Sequence, residues 1–196
     1  MRIILASKSG VRKKILNDFK IDCQVIASQV DEDEVKQSLL AEGADPLIIS
    51  KNLAEIKSIK VSSKNPDRLV IGADSVISLQ DQLINKPRSR DEAFSILKKL
   101  NNSVHYLISS VCISKNGAMI WNHSDSSELK MKNLTEKQLK NYLGKIETNT
   151  LLAYGVYQIE AEGMNLFEYI KGDHNSIMGL TIKSIINYIK QFKNND

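Results

Sequence analysis

The chain has 196 residues, 42% of them hydrophobic, and its 27 Lys and Arg against 23 Asp and Glu leave a formal net charge of +4. That length supplies one sizeable core or two small lobes, and one domain is the expected count. The charge is spread without a long basic block, which is only weak evidence for nucleic-acid binding and fits a protein that handles small anions equally well, and Cys23 and Cys112 stand alone, which argues against a disulfide framework and a Cys-x-x-Cys zinc site.

Ile3-Ile4-Leu5-Ala6 is too short an apolar stretch for a signal peptide, and nothing later is long enough to span a bilayer, so a cytoplasmic protein without a membrane partner is expected. Residues 2–6 read as a short buried strand. Residues 10–19 read as a helix with Ile15, Leu16 and Phe19 on one face. Pro46 suits a first helical turn, and Ile49, Leu53 and Ile56 are spaced for a second helix behind it. Ala93, Ile96, Leu97 and Leu100 repeat at helical spacing, with Asp91 and Glu92 in the favourable first turn. Residues 106–114 and 118–121 flank Asn116-Gly117, a hairpin signal because a type I′ turn needs positive φ at both central positions. Leu129 and Met131 alternate with polar neighbours in a further strand. Thr135 and Gln138 form a capping box that opens a helix through Leu139, Tyr142 and Leu143. Strands over 156–160 and 165–170 precede a last helix with Ile182, Ile185, Ile186 and Ile189 on its apolar face and lysines toward water. Strands and helices alternate loosely, as in an α/β fold, and no stretch reads as an interdomain linker.

Within Leu69-Val70-Ile71-Gly72-Ala73-Asp74-Ser75-Val76-Ile77, one acid sits among apolar and very small residues. A buried carboxylate costs several kcal/mol unless paired or protonated, so an acid there has a task, or else Ala73-Asp74-Ser75 is a turn between two short strands. Gly72 marks a place where a ligand or another backbone comes close. Three polar clusters sit at the ends of apolar elements. Ser7-Lys8-Ser9-Gly10-Val11-Arg12 brings two hydroxyls to a helix start with an arginine one turn on, which suits a phosphate cradle and equally suits simple capping. Asp31-Glu32-Asp33-Glu34 could ligate a metal or merely face water. Asn85-Lys86-Pro87 holds a lysine beside a stiff proline, and taken alone it reads as surface charge. His105, His123 and His174 are too scattered for a metal cluster, and each reads as a surface or strand residue. Phosphate-loop, dinucleotide-binding, zincin and serine-hydrolase signatures are absent.

Taken in order, these clusters, with Glu92-Ala93, Tyr157-Gln158, Gly172-Asp173-His174-Asn175 and Ile177-Met178-Gly179-Leu180, resemble the Maf family of nucleoside triphosphate pyrophosphatases along essentially the whole chain. The resemblance implies a single Maf-like domain over 1–196, α/β, with an elongated mixed β-sheet, surrounding helices and two lobes that share the sheet around a cleft, similar to the inosine triphosphate pyrophosphatases. It implies hydrolysis between the α and β phosphates of a nucleoside triphosphate, with Mg²⁺ or Mn²⁺, by a homodimer. By residue it implies Asp74 as general base or orienter of the attacking water, and Arg12 and Lys86 as cations on the triphosphate. Ser7 and Ser9 would donate to its oxygens, Lys57 would join the cations, and Gln158 would lie near the nucleotide. Asp74, Lys86 and Glu32 form the implied catalytic set, and Glu32 and Asp74 the implied metal ligands.

The chain departs from the family pattern in places. Gly10 stands where a proline is usual, Ser75 replaces the commoner threonine, the stretch before Tyr157 lacks a lysine-alanine-glycine run, and Ala161 stands where glycine often follows. These changes bear on which base is preferred more than on hydrolysis. Two other classes of function compete: a noncatalytic regulator or nucleic-acid binder of the same fold acting in septum formation, suggested by the positive charge and the lysine-rich last helix, and a module that binds triphosphates without turnover.

Overall fold

The structure is a computed structural model that describes residues 3–159 and 162–195. Strand β1 (Ile3–Leu5) leads into helix α1 (Gly10–Asp18), followed by β2 (Cys23–Val25), α2 (Glu32–Ala41) and α3 (Pro46–Ser62). The long strand β3 (Leu69–Leu79) turns back into β4 (Gln82–Ile84), and α4 (Arg90–Leu100) precedes the hairpin of β5 (Val104–Lys115) and β6 (Ala118–Met131). Helices α5 (Glu136–Gly144) and α6 (Thr148–Tyr154), a 3₁₀ turn (Glu162–Leu166), β7 (Phe167–Lys171), α7 (His174–Ile177) and α8 (Ile182–Asn195) complete the chain.

The sheet is mixed. Its order is β2-β1-β3-β5-β6-β7 with β4 added to β3. Strand β1 is parallel to β2 and β3, whereas β3–β4 and β6–β7 are antiparallel. The described residues fall into two units, the first within 1–76, 108–126 and 173–196, the second within 77–107 and 127–172. Strands β3, β5 and β6 each have residues in both.

In the first unit the period-2 alternation of a strand sorts the core into two faces. Ile3 and Leu5 of β1, with Leu69, Ile71 and Ala73 of β3, pack with Ile15 and Leu16 of α1, Leu180, and Ile182 and Ile185 of α8. Ile4, Ala6 and Val70 point the other way, onto Val61 of α3. The same alternation puts Gly72 and Asp74 on the α3 side. A Cβ on Gly72 would stand 2.1 Å from the Ala54 carbonyl oxygen and 2.7 Å from the Ser58 nitrogen, so the close approach that this glycine signalled is made by the backbone of α3. Helix α3 answers with small residues once per turn, Ser50, Ala54, Ser58 and Ser62, all buried. The buried hydroxyls are paired rather than stranded: Ser50 with Ser110, and Ser58 with Ser114 at 2.7 Å.

In the second unit the α4 stripe of Ala93, Ile96, Leu97 and Leu100 is buried, as are Leu139, Tyr142 and Leu143 of α5. The Thr135–Gln138 capping box forms with both of its bonds. Arg90 donates to the Ile146 carbonyl at 2.7 Å and to that of Leu143, one just past the end of α5 and the other in its last turn, and so ties the start of α4 to the end of α5.

Several expectations need correction. Residues 156–159 form no strand, and Glu160 and Ala161 lie outside the described residues, as does Arg2. Residues 118–121 and 129–131 belong to one strand, β6, whose polar middle hid it: Ser124 and Asp125 lie within the sheet because Ser110 and Ser176 supply partners. Phe19 caps α1 and is 41% exposed instead of joining Ile15 and Leu16 in the core. The 165–170 strand begins at Phe167, after the 3₁₀ turn.

Candidate active site

Strand β1 stops at Leu5, opposite Ile71, while β3 runs on to Leu79. Past that end, the carbonyls of β3 that faced β1 have no strand to pair with. Ser7 and Ser9 occupy this junction, Ser9 capping α1 by accepting from the Arg12 amide at 3.3 Å and donating its own amide to Ser7 Oγ at 3.2 Å. One turn into α1, Arg12 reaches back across the gap. Its Nη1 donates to the Ala73 carbonyl at 2.9 Å and to Ser7 Oγ at 3.2 Å, Nη2 to Ser75 Oγ at 3.2 Å, and Nε to the Gly179 carbonyl at 2.8 Å. Burial pushes the guanidinium below the ordinary arginine value, against the attraction of Asp74 and Glu32, yet an arginine remains a cation.

A directed chain of hydroxyls holds that guanidinium. Ser109 Oγ donates to the Ser176 carbonyl at 2.7 Å, so in the 2.9 Å contact between Ser75 and Ser109 the hydrogen comes from Ser75, whose lone pair is then free for Arg12. Gly179, with φ of +97°, turns its carbonyl onto Nε. A side chain there would be strained and would meet Ser75 Oγ at 3.1 Å.

Asp74 lies in the unbroken strand β3, not in a turn, and is 5% exposed. The α3 backbone admitted by Gly72 brings Lys57 alongside it. Lys57 Nζ, on a residue equally buried, stands 2.7 Å from Asp74 Oδ1 and 2.7 Å from Glu32 Oε1. Glu32 opens α2 behind the Asp31 cap, where the free amides of a first turn favour an acid. The other oxygen of Asp74, Oδ2, is buried and makes no hydrogen bond. Among the described residues no three His, Cys, Asp or Glu side chains gather as a metal cluster. The pair of Glu32 and Asp74 still fits a divalent cation of the magnesium type, which takes one or two carboxylates and completes its shell with water and substrate phosphates.

Lys86 and Gln158 belong to the second unit. Lys86 Nζ donates to the Ala153 carbonyl at 2.9 Å, in the last turn of α6. Gln158 is half-buried, and its Nε2 is buried without a hydrogen-bond partner. Thus Ser7, Ser9 and Arg12 form one connected group, and Glu32, Lys57 and Asp74 another, both in the first unit. Sequence reading passed over Ser109 and the carbonyls of Ala73 and Gly179. Backbone acceptors leave no mark in a sequence, and Ser109 is one of a pair of adjacent hydroxyls, Ser109-Ser110, in a stretch that also contains Ser114, with nothing to single it out.

The model of the family described as "Maf-like protein" matches residues 2–192. The chain belongs to the Maf family. A Maf relative from Pelagibacter ubique, named nucleoside triphosphate pyrophosphatase, is 57% identical over 97% of this chain and 98% of its own length. A second, from Brucella abortus and named 7-methyl-GTP pyrophosphatase, is 33% identical over 98% of this chain and 97% of its own. Among solved structures, the nucleoside-triphosphatase or dITP/XTP pyrophosphatase of Mycobacterium abscessus is similar with a TM-score of 0.43 and 9% identity, covering 99% of this chain and 97% of that one.

Proposed function

We propose that this Maf protein hydrolyses a nucleoside triphosphate between its α and β phosphates, giving the monophosphate and pyrophosphate, with Asp74 as the base. The observation that carries the reading is the state of the Asp74 carboxylate. Lys57 engages Oδ1 and leaves Oδ2 buried with an unused lone pair. A water placed at Oδ2 gives up its proton there as its oxygen bonds to the α phosphorus. The bond from that phosphorus to the bridging oxygen breaks, and pyrophosphate leaves with the electron pair. Glu32 and Asp74 would hold a Mg²⁺ or Mn²⁺ ion, which supplies charge neutralisation for the polyphosphate.

The remaining residues answer the charge problem. Ser7 and Ser9 accept in the bonds described above, so their own O–H hydrogens serve as donors for phosphate oxygens. Arg12, held from four directions, offers a pre-oriented positive field, and preorganised charge is what polyanion hydrolysis most needs. Lys86 as a triphosphate cation and Gln158 as a nucleotide contact rest on the family motif. For Gln158 the unpartnered Nε2 adds support. The same reading takes 1–196 as one Maf-like domain acting as a cytoplasmic homodimer on free nucleotides, without nucleic-acid or membrane partners.

The deciding experiment is pyrophosphate release, by coupled detection, from dTTP, UTP, 7-methyl-GTP and the common purine triphosphates with Mg²⁺ or Mn²⁺. Release from at least one is expected; release from none overturns the proposal. Asp74→Asn, nearly isosteric, should lower kcat by roughly 10² or more while melting cooperatively. Near-normal turnover would remove Asp74 as the base.

A further inference from the structure

His105 lies in the part of β5 that belongs to the second unit, fully buried, and the hydrolytic chemistry does not use it. Its Nε2 is 3.0 Å from the phenol oxygen of Tyr157, itself 8% exposed. The Tyr157 ring meets Phe167 edge-on, with centroids 4.9 Å apart and an interplanar angle of 84°, and His105 closes the cluster 5.8 Å from Phe167. Burial lowers the imidazole to about 4 and pushes the phenol upward, so the two meet as neutral partners near pH 7.

Tyr157 anchors a segment that has little else to define it. Residues 155–159 run between α6 and the 3₁₀ turn without helix or strand. A second anchor is Gly163, whose missing Cβ would stand 2.3 Å from the Gln158 carbonyl oxygen and 2.7 Å from its nitrogen. Val156 and Ile159, on either side of Tyr157 and Gln158, are buried, and the Gln158 amide is left with its buried Nε2 unpaired. A buried donor with no acceptor is costly unless a ligand completes it, and a carbonyl on the edge of a nucleobase is such an acceptor.

We propose that His105 is a positioning residue for base recognition: through its bond to Tyr157 it sets the backbone from which Gln158 presents its amide to a base carbonyl. This rests on the reading of Gln158 as a nucleotide contact. A single hydrogen bond to the base is sensitive to small displacements of its donor, and an irregular segment has no ladder of backbone bonds to prevent them. The neutral pair of His105 and Tyr157 supplies that rigidity without placing a charge near the base.

The test is a double-mutant cycle on steady-state pyrophosphate release, using whichever of dTTP, UTP and 7-methyl-GTP turns over fastest. Tyr157→Phe keeps the ring against Phe167 and loses only the hydroxyl; His105→Leu removes the other partner. Each should raise KM about tenfold with kcat within about twofold, the mark of lost binding common to ground and transition states. In a Gln158→Ala background neither should raise KM further, because the group being positioned is gone. A KM unchanged in Tyr157→Phe overturns the proposal, and so does a tenfold rise that persists without Gln158. A wild-type KM in Gln158→Ala alone overturns the assignment of Gln158 and this inference with it, whereas a raised KM there beside an unmoved Tyr157→Phe overturns only the role of His105. Tyr157→Phe decides the matter even where His105→Leu fails to fold.

Discussion

Asp74, Lys57 and Glu32 form a line of alternating charge in which the lysine is buried between two acids, 2.7 Å from each. Removing one member of a buried pair strands the other, typically at about 3–5 kcal/mol. Lys57→Met should therefore lower the melting temperature in chelator. The same ammonium also faces the two carboxylates to which the proposed divalent cation would bind, and like charges compete. In Lys57→Met, Mn²⁺ should accordingly bind at least about tenfold more tightly and restore part of the lost stability, even as turnover falls. Calorimetric titration with Mn²⁺ alone checks this, and weaker binding in the variant would show that Lys57 supports the metal instead of competing with it. The sequence marked Asp74 because an acid in an apolar run is anomalous by itself. Lys57 has no such mark: helical lysines are common, and its partner is 17 residues away.

At the level of elements, the approach of α3 to β3 depends on Gly72. An alanine there would place its Cβ 2.1 Å from the Ala54 carbonyl oxygen, and neither backbone can yield without tilting the helix that carries Lys57. Gly72→Ala should cost at least about 1–3 kcal/mol in urea unfolding and lower kcat as well, because Asp74 loses its partner. Gly10 behaves in the opposite way. It begins α1 with no atom within 4 Å of a Cβ and no positive φ, so Gly10→Ala should stabilise by about 0.4–1 kcal/mol, read as a rise in melting temperature with activity retained. Elements specified by local chemistry were legible: the turn at Asn116-Gly117 has φ of 54° and 78°, and Thr135 and Gln138 cap as read. The β3–β4 hairpin was missed because Gln80 and Asp81 take the positive φ values, 51° and 60°, that Asn-Gly would have advertised. Residues 156–159, part of the strand expected over 156–160, form none: Val156, Tyr157 and Ile159 are each buried without strand pairing.

For the whole molecule, His105 gives stability a pH dependence whose sign is fixed. Burial lowers the folded pKa to about 4 against about 6.5 unfolded, so between these values the unfolded chain binds more protons and stability rises with pH. The contribution is complete above about pH 6.5 and is lost as pH falls toward 4, by up to about 3 kcal/mol. Urea midpoints at pH 7.5 and 4.5 should differ more in the wild type than in Tyr157→Phe/His105→Leu, and an equal fall in both would assign the acid sensitivity elsewhere. Read alone, the sequence determined the α/β class, the capping box at Thr135 and Gln138, the turn at Asn116-Gly117 and the anomaly at Asp74, since each is written in local patterns of residues. Only the tertiary structure decided that Gly72 faces a helix rather than a ligand, that Lys57 neutralises Asp74, that Ser75 and Ser109 hold Arg12, and that His105 is buried against Tyr157. Those outcomes depend on where short β1 ends beside long β3 and on which face each side chain takes, and long-range register of that kind is set by packing rather than by any local pattern.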